Sequence, residues 1–345
     1  MRHRTLRQLL EMSSEFKQFV IVLFLLGSAG AQTPKSEMLR LESSAAAMGA
    51  TYSLVIYDED RAKMEAASDA AYEEARRLDD LLSNYKPDSE WSKVNREASE
   101  HPVAVSRELF DLIAACVKYS RESEGAFDIT VGPLMNVWGF YKGTGHLPKS
   151  ADVKTAMGRI GYQNIVLDEV NRTIAFKKKG LNLDPGGIGK GYAVDRIADL
   201  LRARGIKSAL VAGSGSSIYA IGTPPDEPEG WSVEIKDPKD DFKAVAEVHL
   251  KDQSMSTSGS YEKFFVADGK VYSHIMDPRT GYPSQGTLSV SVITPRTIDS
   301  EAWAKPYFIN GPKWTKAHLA ADFKVYFCTG SNEKEKVEQK CGWLQ

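Results

Sequence analysis

The sequence has no surplus of positive charge: 44 Lys and Arg stand against 46 Asp and Glu, a formal net charge of −2 at pH 7. Sequence-independent binding to a phosphate backbone needs a basic face, so nucleic acid is not an expected partner. Long apolar runs are missing as well. The longest near the start, Phe19–Leu26 (FVIVLFLL), falls far short of the roughly 20 residues that a membrane-spanning helix needs. No transmembrane span is expected in the mature chain. Cysteine is scarce, limited to Cys116, Cys328 and Cys341 with no CxxC pair, and the histidines at 3, 101, 146, 249, 274 and 318 are all isolated. Zinc-type ligand spacing is therefore absent. No repeat of 20–50 residues is found, which argues against a solenoid or propeller. What remains is ordinary globular material, 42% apolar over 345 residues, enough for a sizeable core.

The apolar run has a different use. Arg2, Arg4, Arg7 and Lys17 precede it and Gly27-Ser28-Ala29-Gly30-Ala31 follows, the pattern of a secretory signal with small residues at the cleavage site. Residues 1–31 are expected to be removed after Ala31, whether the start is Met1 or Met12, giving an exported, periplasmic protein, soluble or peripheral. No cysteine near the cleavage site marks a lipid anchor. In an oxidising compartment Cys328 and Cys341 could close a short C-terminal loop, whereas Cys116 lies in an apolar helical pattern as a small core residue.

Residues 32–43 read as a polar linker. Thr51–Tyr57 has strand character, and apolar positions recur at helical spacing over Arg61–Leu82 and Ser106–Arg121. Between those helices Ser83–Glu90 is rich in turn formers and reads as a loop. The runs at 165–167 and 173–176 suggest a hairpin, a helix is expected over 190–204, and strands follow at 208–212 and 217–221. Short strand-like segments at 231–236, 244–250, 264–267, 271–275 and 287–294 make the second half mostly antiparallel. With no linker dividing it, the stretch 44–345 is expected to be one compact α+β domain.

Polar clusters interrupt this patterning. In Gly125–Leu134 (GAFDITVGPL), ending at Trp138-Gly139-Phe140, glycine and proline bracket Asp128 beside aromatic rings. That suits a flat hydrogen-bonding ligand, and equally a tight turn capped by Asp128. Asp184–Tyr192 (DPGGIGKGY), with Asp195 one turn on, offers close backbone approach and helix-start amides that fit an anion; a plain strand-to-helix turn fits too. The phosphate-loop pattern is not met, since Gly191 follows Lys190 where Ser or Thr is required. A third cluster, Ser256–Tyr261 and Tyr272–Pro283 (YSHIMDPRTGYP), gathers hydroxyls, His274, Asp277 and Arg279; histidine carries protons near neutral pH and arginine matches phosphate oxygens.

Across 44–312 the chain resembles the ApbE family of FAD:protein FMN transferases. The matching runs are MGATYSL (48–54), SNYKPDSEWSKVN (83–95), GAFDITVGPLMNVWGF (125–140), LDPGGIGKGYAVD (183–195), STSGSYEKFF (256–265) and HIMDPRTGYP (274–283), in family order. The resemblance implies an ApbE-like, T-fold-related domain that cleaves FAD, passes the FMN half to a Ser or Thr hydroxyl of an acceptor protein, such as a redox-complex subunit, and releases AMP. It implies that Met48, Tyr85, Ala126, Phe127, Asp128, Asp184, Lys190 and Ile275 line the flavin nucleotide, and that His274 is the base for the acceptor hydroxyl.

The resemblance also implies a divalent ion, usually magnesium, held by a loop carbonyl corresponding to Gly187, an Asp, and a Thr four residues later. Here those two positions, counted back from Gly311, hold Glu301 and Lys305. A carboxylate is kept and a hydroxyl becomes an ammonium, which cannot ligate while protonated. Lys305 could place its own charge on the FAD pyrophosphate, or simply pair with Glu301 at i,i+4 spacing for a few tenths of a kcal/mol. Pro306 is expected to disturb helical geometry at Lys305 and separate the two side chains. The competing expectation is an exported FAD-binding protein, or an FAD hydrolase, without transferase activity.

Overall fold

The computed structural model describes residues 38–143, 145–331 and 339–344; the expected signal peptide and its cleavage site lie outside them. Eight strands form one sheet: β1 (Leu39–Ala47), β2 (Ala50–Asp58), β3 (Ser208–Gly213), β4 (Ser217–Ile221), β5 (Ser254–Gly259), β6 (Thr287–Thr294), β7 (Lys324–Gly330) and β8 (Gln339–Trp343). Their spatial order is their chain order, and every neighbouring pair is antiparallel. Leu39–Ser43, expected as linker, belongs to β1, which pairs with β2 from Leu39↔Asp58 to Ala47↔Ala50. Its sparse apolar content reflects an edge strand, whose residues are half-buried at best.

Side-chain alternation buries both faces of the central strands. On one face Tyr52, Leu54 and Ile56 of β2 pack against α1 (Arg61–Leu82) and α4 (Gly189–Ala203). Farther along that face Val290, Val292, Val325 and Phe327 meet α5 (Thr297–His318). The opposite face, with Ile218, Ala220, Met255 and Tyr326, is covered by the hairpin of Trp231–Asp237 and Asp240–Leu250. A second core forms where α2 (Glu90–Glu97) and α3 (Arg107–Glu122) pack on the expected hairpin, Ile165–Asp168 with Thr173–Phe176. The described residues form one compact unit. Among the described residues, no helix is long and apolar enough to cross a membrane.

Three differences from the expected elements have physical causes. Glu90 starts α2 instead of ending a loop, because Ser89 caps that helix through Ser92 N–H at 2.9 Å. Pro306 does not break α5: it is buried, and the single residue in that span that leaves helical geometry is Gly311, at φ 75°. Beyond it the chain turns into β7 and β8, which sequence patterning left unassigned, and Cys328 and Cys341 are paired across them in a disulfide.

Candidate active site

The tight turns β1–β2 and β3–β4 lie at the same end of the sheet, and the glycine-rich segment meets them there. Asp184 caps the turn Pro185–Gly187: its Oδ1 accepts the Gly186 amide at 2.6 Å and its Oδ2 accepts the Tyr141 hydroxyl at 2.6 Å. The chain then enters α4 at Gly189. A Cβ on Gly191 would lie 2.6 Å from the Thr297 carbonyl oxygen, so only glycine lets α4 approach α5 this closely. Asp195, one turn on, accepts the amides of Thr297 at 2.7 Å and Ile298 at 3.0 Å and fixes the start of α5. Lys190 donates to the Ser216 hydroxyl at 2.8 Å, in the β3–β4 turn.

Contrary to the expectation drawn from Pro306, Glu301 and Lys305 share one face of α5. The Lys305 Nζ donates to the Glu301 carbonyl at 2.9 Å and lies 3.6 Å from its Oε1. The other carboxylate oxygen, Oε2, accepts the Gly191 amide. Lys305 Cε lies 3.8 Å, and the Phe127 ring 3.4 Å, from where a Cβ on Gly187 would be. Burial pulls the Lys305 pKa down to about 8, against the pull of Glu301, so the ammonium is the main form at neutral pH.

Gly187, Glu301 and Lys305 are therefore together, but they do not fit a magnesium ion. Mg²⁺ demands near-octahedral oxygen ligands. Here one Glu301 oxygen is engaged by an amide, the other faces an ammonium, and no group of three His, Cys, Asp or Glu side chains that could hold a metal occurs among the described residues.

The expected flavin-lining residues fall into two sets. Met48 and Gly49 take φ 54° and 65° in the two-residue turn between β1 and β2. This turn carries Met48 over the glycine loop: its Cε lies 3.4 Å from where a Cβ on Gly189 would be, and Tyr52 donates to its sulfur at 3.3 Å. Tyr85 is 73% exposed and meets Tyr141 edge-on at 6.3 Å. Both rings line a cleft of about 400 Å³ with Asn84, Asn95, Arg96 and Asn182. Ala126, Phe127 and Ile275 are instead buried, Ile275 in the core beside Ala304 of α5. Asp128 is spent on structural bonds, accepting Thr130 N–H at 2.8 Å and Thr130 Oγ1 at 2.7 Å in its own loop and Tyr162 N–H at 2.8 Å from a distant one. Burial raises its pKa, and its geometry is that of the capped turn.

His274 lies near enough to Lys190 and Lys305 to feel their charge. Its Nδ1 lies 3.2 Å from the Lys263 carbonyl oxygen, which assigns the proton there and leaves Nε2 as the acceptor. Burial, aided by the positive fields of Lys263, Lys305 and Lys190, lowers its pKa to about 4. The imidazole is thus neutral at pH 7, the state a general base requires. The ring stands edge-on to Phe140 at 6.5 Å. Tyr141, Lys263 and the spacing role of Gly191 were not identified from the sequence; Tyr141 follows the Trp138-Gly139-Phe140 end of a singled-out cluster, the nearest signal to it.

A family model described as the ApbE family matches residues 48–327. The FAD:protein FMN transferase of Klebsiella pneumoniae (strain 342) is 34% identical over 270 residues, 77% of this chain and 81% of the relative. That of Treponema pallidum (strain Nichols) is 30% identical over 307 residues, 85% and 84% of the two chains. Among solved structures, the flavinyl transferase ApbE of Pseudomonas stutzeri, apo form, is similar with TM-score 0.78 and 28% identity, covering 89% of this chain and 95% of that one. The ApbE protein of Thermotoga maritima gives TM-score 0.77 at 29% identity, covering 86% and 97%.

Proposed function

The chain belongs to the ApbE family, and from that premise we propose that it transfers the FMN moiety of FAD to a Ser or Thr hydroxyl of an acceptor protein. The acceptor oxygen attacks the FMN-side phosphorus, the bond to the AMP-side oxygen breaks, AMP leaves, and the hydroxyl proton passes to Nε2 of His274. The observation that carries this reading is a neutral His274, oriented by the Lys263 carbonyl and lying within the fields of Lys190 and Lys305. Met48, Tyr85 and Tyr141 supply the walls for a flat ring system, and Asp184 holds the turn that the nucleotide would meet.

The acceptor is proposed to be a subunit of an exported redox complex. Export itself is proposed on the N-terminal pattern of basic residues, apolar run and small residues; the Cys328–Cys341 bridge, which suits an oxidising compartment, supports it.

The test is AMP release from FAD together with mass-spectrometric detection of FMN attached to a Ser or Thr of an acceptor that another family member modifies. His274→Asn is expected to lower the transfer rate by about 10²–10⁴-fold while FAD still binds, the range typical of general-base removal. Equal rates for the two proteins would remove His274 as the base. Release of AMP and free FMN, with no modified acceptor under conditions competent for another family member, would indicate a hydrolase.

A further inference from the structure

Three lysines bear on the surroundings of His274. Lys190, Lys263 and Lys305 all act on His274, and Lys190 acts on Lys305, whereas Glu301 is the one carboxylate paired with Lys305. Glu301 is 3% exposed, and both of its oxygens are already engaged, one by the Gly191 amide and one facing Lys305. Lys305 is not a loose surface cation. Its Nζ is fixed by the Glu301 carbonyl, its stem runs beside Gly187 and the Phe127 ring, and 22% of its side chain remains accessible. An ammonium donates three hydrogen bonds; the Glu301 carbonyl uses one and its carboxylate faces a second. The remaining donor has a phosphate oxygen as its natural acceptor.

Resting on the transferase reading above, we propose that Lys305 is a built-in replacement for a divalent ion: its ammonium binds the FAD pyrophosphate directly, and binding and transfer proceed without added metal. Glu301 acts as a positioning residue that holds the ammonium against Gly187. Lys190, fixed by Ser216, adds a second cation facing the same space. Together the two ammonium groups match the one negative charge on each phosphate of a pyrophosphate diester. During transfer the AMP-side phosphate gains charge as its bond to the FMN phosphorus breaks, and a fixed cation beside it stabilises that change.

The experiment compares wild type, Lys305→Thr and Lys305→Met in excess EDTA and in excess magnesium. Three quantities are read: the FAD dissociation constant from flavin fluorescence, the rate of AMP release with acceptor peptide, and bound metal by elemental analysis. Wild type is expected to keep the same affinity and rate in both conditions and to carry no stoichiometric metal. Lys305→Met is expected to bind FAD about 10- to 100-fold more weakly in both, the loss of one charge-assisted hydrogen bond. Lys305→Thr, which clears the ammonium and supplies a hydroxyl, is expected to bind weakly in EDTA and to recover with magnesium.

Wild-type affinity and AMP release lost in EDTA and restored by magnesium would overturn the assignment, as would an unchanged FAD affinity in Lys305→Met. Should either variant fail to fold by circular dichroism, the wild-type comparison alone decides. Tight, metal-independent FAD binding by wild type with no AMP and no modified peptide would sink the transferase reading and leave the role of Lys305 in binding intact.

Discussion

Asp128 and Asp184 sit in similar sequence settings, each among glycines and near a proline, and the structure gives them different work. Asp128 is closed on Thr130 and Tyr162, whereas Asp184 has one oxygen on the glycine loop and the other on Tyr141 at the cleft wall. Local sequence shows that a carboxylate is wanted at both places. It does not show its partners, because Tyr162 and Tyr141 lie 34 and 43 residues away. Asp184→Ala should weaken FAD binding by about tenfold or more, since it leaves the Gly186 amide and the Tyr141 hydroxyl without their acceptor. Isothermal titration of FAD into the variant checks this.

Met48 presents a second residue-scale case. A non-glycine residue at φ 54° carries a backbone cost of roughly 1–2 kcal/mol, and glycine would relieve it. Met48→Gly is therefore expected to hold or raise the melting temperature while weakening FAD binding, because the side chain over the glycine loop is lost. A lower melting temperature with unchanged FAD affinity would show that Met48 serves packing alone. His274 sets the pH behaviour. Its folded pKa lies near 4 against an ordinary 6.5, so the unfolded chain takes the proton first and stability is lost as pH falls from about 6.5 toward 4. The acid limb that His274 imposes on kcat/KM should accordingly lie well below pH 6.5. In the FAD complex the pyrophosphate favours the imidazolium, so the limb in kcat should sit at higher pH than that in kcat/KM.

At the scale of elements, the helices with a clear apolar stripe were legible within a residue or two, as α1, α3 and α4 show. α5 was not, and the reason is chemical. Ala302, Ala304, Pro306, Tyr307 and Phe308 are all buried, and so is Glu301, so its middle has no solvent-exposed polar face to mark the period, and tertiary packing overrides the proline. The helix that carries Glu301 and Lys305 is held by what it packs on. Its contact with α4 depends on Gly191, where a Cβ would lie within 2.6 Å of both the Thr297 carbonyl and the Glu301 carboxylate. Gly191→Ala should destabilise the fold by about 1–3 kcal/mol through overpacking and displace Glu301 and Lys305 from the site. Chemical denaturation measures the first effect and FAD affinity the second; an unchanged midpoint would mean that the two helices can part at no cost.

For the whole molecule, the α+β class and the antiparallel sheet could be read from strand spacing, because most strand interiors alternate or are apolar; the inner strand β5 (SMSTSG) reads as a polar cluster instead, since its buried serines are satisfied by hydrogen bonds to other hydroxyls, Thr294 among them. The edges could not be read that way. β1 is polar enough to read as linker, and β8 (QKCGW) has too little apolar content to stand out. What secures β8 is covalent. The disulfide closes a loop of sequence separation 13, which on chain-entropy grounds is worth about 3 kcal/mol. Reduction, or a Cys328→Ser/Cys341→Ser pair, should lower the melting temperature by a few degrees and leave FAD affinity unaltered, since neither sulfur touches the candidate site.

Because the eight strands are laid side by side in the order of synthesis, with β8 as the final one, the sheet has a natural closing step. Cys341 can meet Cys328 in register only once β7 has its last neighbour. The bridge is then a time stamp on assembly: in a pulse-chase experiment, the shift from free to oxidised thiols would mark the moment at which the last edge of the sheet is sealed.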